Sequence, residues 1–114
     1  MKILIVGGTG MIGGHAAEHL AGLGHDIVLA ARKPAAAGTP MAAFPVLFGD
    51  YTRGEFSPAE LAPFDAVVFA AGNDIRHLPG DVDEDAFWRK TQIEGVPAFA
   101  ERAKKAGVGR FVQL

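Results

Sequence analysis

The amino-acid sequence predicts an α/β protein built on a doubly wound parallel sheet with strand order 3-2-1-4-5. Three observations lead there. Short, largely apolar runs recur at Ile3–Val6, Asp26–Ala31 and Ala66–Ala71, the pattern of parallel strands covered on both faces. Longer stretches with apolar residues at helical spacing separate them. A cluster of glycines (Gly7, Gly8, Gly10, Gly13 and Gly14) stands where the first strand gives way to the first helix. Alternating β and α segments with right-handed crossovers wind outward in both directions from the first strand. That leaves a crevice beyond the carboxyl ends of strands one and four.

In chain order, strand one covers Ile3 to Val6. Helix one runs from about Met11 to Leu23, with Ile12, Ala16, Leu20 and Leu23 at helical spacing and Gly24 as its stop. Strand two is Asp26 to Ala31. Lys33 to Phe44, rich in alanine and broken by Pro34, Gly38 and Pro40, reads as loop or at most one helical turn. Val46 to Phe48 is a short third strand ending at Gly49-Asp50. Ser57 caps a one-turn helix to Leu61, with Pro58 at its first position. Strand four is Ala66 to Ala71, and Asn73 to Asp83 is a polar loop. A long helix follows from about Glu84 to Ala106. Its sheet-facing stripe is Trp88, Gln92, Gly95, Phe99, Ala103 and Ala106, and Pro97 kinks it or removes one backbone bond. Arg110 to Leu114 is strand five.

A chain of 114 residues holds one domain, residues 1–114, with room for a single core. Hydrophobic residues at 49%, with 15 glycines and 7 prolines, argue against disorder. The net charge is −2 and no Lys/Arg stripe is present, so no nucleic-acid partner is expected. Arg102, Lys104 and Lys105 fall late in a helix, where they complement its dipole. The absence of cysteine excludes disulfides, thiolate nucleophiles and Cys-ligated metals. The run after Met1-Lys2 is too short for a secretory leader, and no run is long enough to span a bilayer. We therefore expect no membrane association and a cytoplasmic location.

Strand, glycine turn and helix together make a cradle for the pyrophosphate of a dinucleotide. The glycines let the backbone turn tightly and approach the phosphates, and the helix start presents unpaired N–H groups and a partial positive charge. The end of strand two then selects the ligand. A carboxylate there binds the ribose 2′-hydroxyl of NAD, whereas Arg accommodates the phosphate of NADP. This chain has Ala30-Ala31-Arg32-Lys33: no carboxylate repels a phosphate and two cations can pair with it. NADP is favoured over NAD, with Thr9 adding a hydroxyl contact. Arg32 and Lys33 as plain surface residues opening a loop is the competing reading. Asp50 would meet the adenine amino group, or else simply end a strand in a turn. Ala70, Ala71 and Gly72 are small where the backbone must pass close to the cofactor.

GGTGMIG, Gly24-His25-Asp26-Ile27-Val28 leading to Arg32, Gly49-Asp50, Ala70-Ala71-Gly72 and the closing AKKAGVGRFVQL together resemble the short-chain dehydrogenase/reductase superfamily. The resemblance covers the whole chain. It is closest to the extended and atypical branches, which include NAD-dependent epimerase/dehydratases and NAD(P)H-binding reductases. It implies a Rossmann fold and hydride transfer at a nicotinamide. By it, Gly7, Gly10 and Gly13 form the phosphate loop, with Thr9, Met11 and Ile12 between them. Arg32 takes the 2′-phosphate position, Asp50 the adenine position and Ala70 to Gly72 the strand-four motif, and the adjoining Lys33 and Tyr51 are counted with the cofactor-binding residues. Gln92 and Gly95 lie where many members carry Asn and Gly, and the Gln is a departure. The superfamily's Ser or Thr beyond strand five, and its Tyr followed four residues later by Lys, have no counterpart. The sole tyrosine is Tyr51, and Glu55 stands four residues on. The resemblance thus implies the N-terminal, cofactor-binding portion of an oxidoreductase or epimerase/dehydratase acting on a small molecule. A non-catalytic NADP-binding module that senses redox state or regulates a partner is the alternative.

Two further motifs carry less. His15-Ala16-Ala17-Glu18-His19 matches an H-x-x-E-H zinc pattern, but exposed positions on an amphipathic helix explain both histidines, and no metal site is expected. Asp74, His77, Asp81, Asp83, Glu84 and Asp85 read as a solvated loop, with Asp83 capping the long helix. The apolar edge left by strand five predicts association (a homodimer in the simplest case), strand exchange or further sequence.

Overall fold

The structure, a computed structural model, describes residues 1–71, 80 and 83–114. Strand β1 (Lys2–Val6) is the centre of a five-stranded sheet ordered β3-β2-β1-β4-β5. Its neighbours are β2 (Asp26–Ala31) and β4 (Ala66–Phe69), and β3 (Val46–Phe48) and β5 (Arg110–Gln113) form the edges. Every pairing is parallel, and Ile3 stands between Ile27 and Ala66. This is the order the sequence predicts.

Alternate side chains of β1 serve opposite cores. Leu4 and Val6 pack with Val67, Phe69, Phe56, Leu61, Phe64, Val96, Phe99 and Ala103. These come in part from α2 (Pro58–Leu61) and α4 (Gly95–Lys105). Ile3 and Ile5 pack with Ala17, Ile27, Leu29 and Ala66, and Ala17 belongs to α1 (Met11–Gly22) on the other face. Because both faces are covered, the strand has no polar alternation and reads as a continuous apolar run.

Local chemistry sets the helix ends. α1 stops in a Schellman turn: Gly24 adopts φ +94°, its N–H donates to the Ala21 carbonyl at 3.0 Å, and the His25 N–H donates to Leu20 at 3.2 Å. α4 ends the same way at Gly107 (φ +91°), where the Val108 N–H reaches the Ala103 carbonyl. Ser57 and Glu60 close a reciprocal capping box on α2. Asp83 accepts from the N–H groups of Asp85 and Ala86 at the start of α3 (Glu84–Trp88).

Three details differ from the sequence reading. β4 ends at Phe69 rather than Ala71, although the Ala70 N–H still donates to the Val6 carbonyl at 2.8 Å as the chain leaves the sheet. The long helix is three pieces: α3, a π-helical segment Arg89–Glu94, then α4. Pro97 lacks an N–H and crowds the carbonyl four residues back. Restarting the helix at Gly95 puts Pro97 in a first turn, where that N–H has no intrahelical partner anyway. The extra residue of the π turn buries Thr91, while Gln92 is half-buried. Third, Ile12 and, just past the end of α1, Leu23 are each 63% exposed, whereas Ala16 and Leu20 of the same stripe pack on the core and the buried residues are Gly13, Gly14 and Ala17. Small residues let the start of this helix sit on the glycine turn, while Leu20 packs with Ala16 and Ala21 against the core of Ile3 and Ile5.

Lys33–Phe44 contains one 3₁₀ turn, Pro40–Ala43, within the bound set from sequence. A second 3₁₀ turn, Tyr51–Arg53, follows β3. Among the described residues no helix is long and apolar enough to cross a membrane.

Candidate dinucleotide cleft

The carboxyl ends of β1, β2 and β4 surround a cleft of about 500 Å³. Gly7 opens it at φ +82°, a conformation that L side chains rarely adopt. A Cβ there would also lie 2.6 Å from the Ala71 nitrogen, so the β1 and β4 ends touch backbone to backbone. The Gly7 N–H donates to the Ala30 carbonyl at 3.1 Å, and the Gly10 N–H donates back to Gly7 at 3.0 Å. At Gly13 a Cβ would lie 2.3 Å from the Gly7 carbonyl oxygen, which is how α1 comes to begin directly on the turn. Gly10 is its N-cap and supplies no side-chain cap. The first N–H groups of a helix have no intrahelical partner, so this end is a donor site with partial positive charge.

Of the residues named from sequence, Gly7, Thr9, Gly10, Arg32, Asp50, Tyr51, Ala70 and Ala71 line this one cleft. Met11, Ile12 and Gly13 sit beside it on the first turn of α1, with Met11 79% exposed. Lys33 is exposed and does not line it. Gly72 lies outside the described residues, as do Asp74, His77 and Asp81 of the loop after β4.

Asp50 has a structural task. Its Oδ1 accepts from the Thr52 N–H at 2.9 Å and the Thr52 hydroxyl at 2.6 Å, capping the 3₁₀ turn. The turn reading of this residue is the one the structure shows, and Asp50 also lines the cleft. Tyr51 is anchored too. Its hydroxyl donates to the Thr91 carbonyl at 2.9 Å, and its ring stands edge-on to Phe69 at 4.9 Å between centroids. Gly95 is small because a Cβ there would meet the Tyr51 ring at 2.9 Å and the Lys90 carbonyl at 2.6 Å.

Sequence reasoning missed one wall. Phe87, Lys90 and Thr91 line the cleft from α3 and the π-helical segment, and Phe56 contributes to its apolar lining. Their signal was the same helix stripe, read one residue out of phase because the π turn was not anticipated. Gln92 keeps its Nε2 buried with no partner among the described residues. His15 and His19 are exposed on α1, and no group of three or more His, Cys, Asp or Glu among the described residues could hold a metal.

The cleft combines apolar surface (Val6, Ala30, Phe56) with two cations (Arg32, Lys90) and a helix start. Among its described lining residues Asp50 is the sole carboxylate, and that side chain is occupied in the turn. Such a site suits an elongated anion with an aromatic end. It is the ligand crevice of a doubly wound Rossmann domain, at the point where the winding reverses.

The NAD dependent epimerase/dehydratase family matches residues 3–114. The chain belongs to that family. It is 29% identical, over 97% of its length and 31% of the relative's, to a 3-beta-hydroxysteroid dehydrogenase of Mycolicibacterium neoaurum. Among solved structures it is similar to the Bordetella bronchiseptica enzyme WbmG in complex with NAD. There the TM-score is 0.74 at 29% identity, covering 99% of this chain and 36% of that one. A short-chain dehydrogenase/reductase superfamily protein of Agrobacterium tumefaciens with bound NAD shares the fold, with TM-score 0.75 at 23% identity over 99% of this chain and 32% of that one. The chain thus spans about a third of the length of these relatives.

Proposed function

We propose that this chain is the cofactor-binding portion of a short-chain-type oxidoreductase or epimerase/dehydratase, and that it takes NADP in preference to NAD. The observation that carries the reading is the backbone cradle at Gly7, Gly10 and Gly13, where any Cβ at Gly7 or Gly13 would collide with backbone. That close packing sets the unpaired N–H groups at the start of α1 directly beside the cleft, where a pyrophosphate would meet them. The start of α1 would hold that pyrophosphate, Asp50 and Tyr51 would border the adenine, and Arg32 would pair with the 2′-phosphate. Arg32 suits that task because it is exposed beside the cleft and forms no ion pair among the described residues.

When bound, a nicotinamide dinucleotide supplies a hydride donor or acceptor. The chain's own residues bind and orient it, and Ala70 and Ala71 leave room for its close approach. Proton transfer to a small-molecule substrate falls to residues outside those described, in keeping with the missing Tyr-x-x-x-Lys pair. A cytoplasmic location and a homodimer belong to the same reading.

Titration with NADPH and NADH separately, followed through the single tryptophan, Trp88, tests this. Trp88 packs against Phe87 of the cleft wall at 5.0 Å. NADPH should bind more tightly, and Arg32→Ala should weaken it about tenfold while leaving NADH nearly unchanged. Equal affinity for the two, with NADPH unaffected by Arg32→Ala, would overturn the NADP preference. No binding of either nucleotide would overturn the whole reading.

A further inference from the structure

Beside the cleft lies a second, more open hollow of about 530 Å³, lined by Arg32, Phe48, Gly49, Asp50, Arg53 and Glu55. It shares Arg32, Gly49 and Asp50 with the cleft, so the two are continuous. Four of its six residues carry charge, and they are engaged unequally. Asp50 Oδ1 caps the 3₁₀ turn, and Glu55 Oε1 accepts the Asp50 N–H at 2.7 Å. Both carboxylates are thus held by donors of the turn. Neither guanidinium forms an ion pair or hydrogen bond among the described residues, although two acids share the hollow. Such unpaired, solvated guanidiniums are free to turn toward an anion, with the planar fork that matches phosphate oxygens.

Arg53 is also well placed by its backbone. It ends the Tyr51–Arg53 turn, its N–H donates to the Asp50 carbonyl at 3.1 Å, and Gly54 at φ +67° turns the chain away. Tyr51 ties the same turn to the Thr91 carbonyl. The segment bearing Arg53 is therefore fixed relative to the cleft, and Arg32 reaches the same hollow from the end of the neighbouring strand β2.

We infer that Arg53 is a specificity-determining residue: with Arg32 it forms a two-armed site for the 2′-phosphate of the cofactor. The inference rests on the proposed dinucleotide site and extends it to a residue that the glycine fingerprint and the strand-two rule do not reach. Phe48, 55% exposed on the rim, offers a flat apolar surface to the adjoining base.

The test uses the whole chain, with NADPH, NADH, adenosine 2′,5′-bisphosphate and 5′-AMP as probes. The last two isolate the 2′-phosphate from the pyrophosphate and nicotinamide. Arg53→Ala should weaken NADPH and the bisphosphate about fivefold to tenfold, and leave NADH and 5′-AMP within about twofold. Arg53→Lys should restore part of the loss, and the NADPH advantage of the native chain should shrink as salt rises. Arg53 is exposed, so circular dichroism of the variants should match the native spectrum. If the native chain prefers NADPH and Arg32→Ala abolishes that preference while Arg53→Ala does not, the inference fails and the cofactor reading stands. Equal losses for NADPH and NADH on Arg53→Ala also overturn it, because they would place Arg53 on the base. If the native chain shows no preference for NADPH, both the NADP reading and this inference fall.

Discussion

Replacing Gly13 with alanine puts the cradle's geometry to a quantitative test. The new Cβ would lie 2.3 Å from the Gly7 oxygen, 2.8 Å from its carbonyl carbon and 2.9 Å from Gly8 Cα. Real Cβ atoms stay beyond 3.0 Å, so the start of α1 must retreat from the turn by at least 0.7 Å. All three contacts are with backbone, and no rotamer change relieves them. Overpacking of this kind costs about 1–3 kcal/mol, and alanine returns up to about 1 kcal/mol of helix propensity. A net loss of about 1–2 kcal/mol is expected, which lowers Tm by roughly 4–8 °C in a domain of this size. Binding should suffer more than stability. Misaligning two backbone N–H donors to a phosphate, each worth about 1.5 kcal/mol, weakens the nucleotide by two orders of magnitude. Gly22→Ala is the control, because nothing lies within 4 Å of a Cβ there. It should raise stability by a few tenths of a kcal/mol, to about 1 at most, and leave binding alone. Thermal denaturation with nucleotide titration reads both effects. A Gly13→Ala protein that melts and binds like the native one would refute the close-approach argument.

Other side chains give sharp expectations. Tyr51→Phe keeps the ring on Phe69 but loses the hydrogen bond to the Thr91 carbonyl; urea denaturation should show a loss of about 1 kcal/mol, and an unchanged midpoint would mean that tie is idle. Phe99 is fully buried, with its ring 5.7 Å from those of both Phe56 and Phe69. Phe99→Ala should cost about 3–5 kcal/mol, most of the margin of a small domain, and a cooperative native-like melt would contradict that packing. Ser57→Ala removes the capping box of α2 and should cost about 1 kcal/mol, measured the same way.

What the sequence made legible was what local rules decide. β1 could be read because residues covered on both faces leave an unbroken apolar run, and Gly24 because a Schellman turn demands φ above zero. Ser57 and Asp83 announced their caps by residue type and position. The misreadings arose where tertiary contact overrides periodicity. Ile12 looks like a core residue by spacing, yet it is exposed, and the absence of side chains at Gly13 and Gly14 serves close contact with the glycine turn and with Met41. Periodicity also assumes a constant turn. The π segment adds a residue, so Thr91, Lys90 and Phe87 reached the cleft unannounced. Arg53 was invisible for a related reason: only the 3₁₀ turn after β3 brings it beside Arg32.

The central position of β1 has a consequence for how the molecule opens. Both edges of β1 are hydrogen-bonded, whereas among the described residues β3 and β5 each have one neighbour and only three and four residues. Local unfolding starts where fewest bonds are lost, so amide exchange should be fast in β3 and β5 and slowest in β1. The glycine cradle is the direct continuation of that slowest strand. Fraying at β3 would therefore loosen the neighbouring turn that bears Arg53, proposed above for the 2′-phosphate, before it disturbed the start of α1, proposed for the pyrophosphate. On the proposed reading, selectivity between cofactors would fade in a partly opened molecule before dinucleotide binding itself was lost.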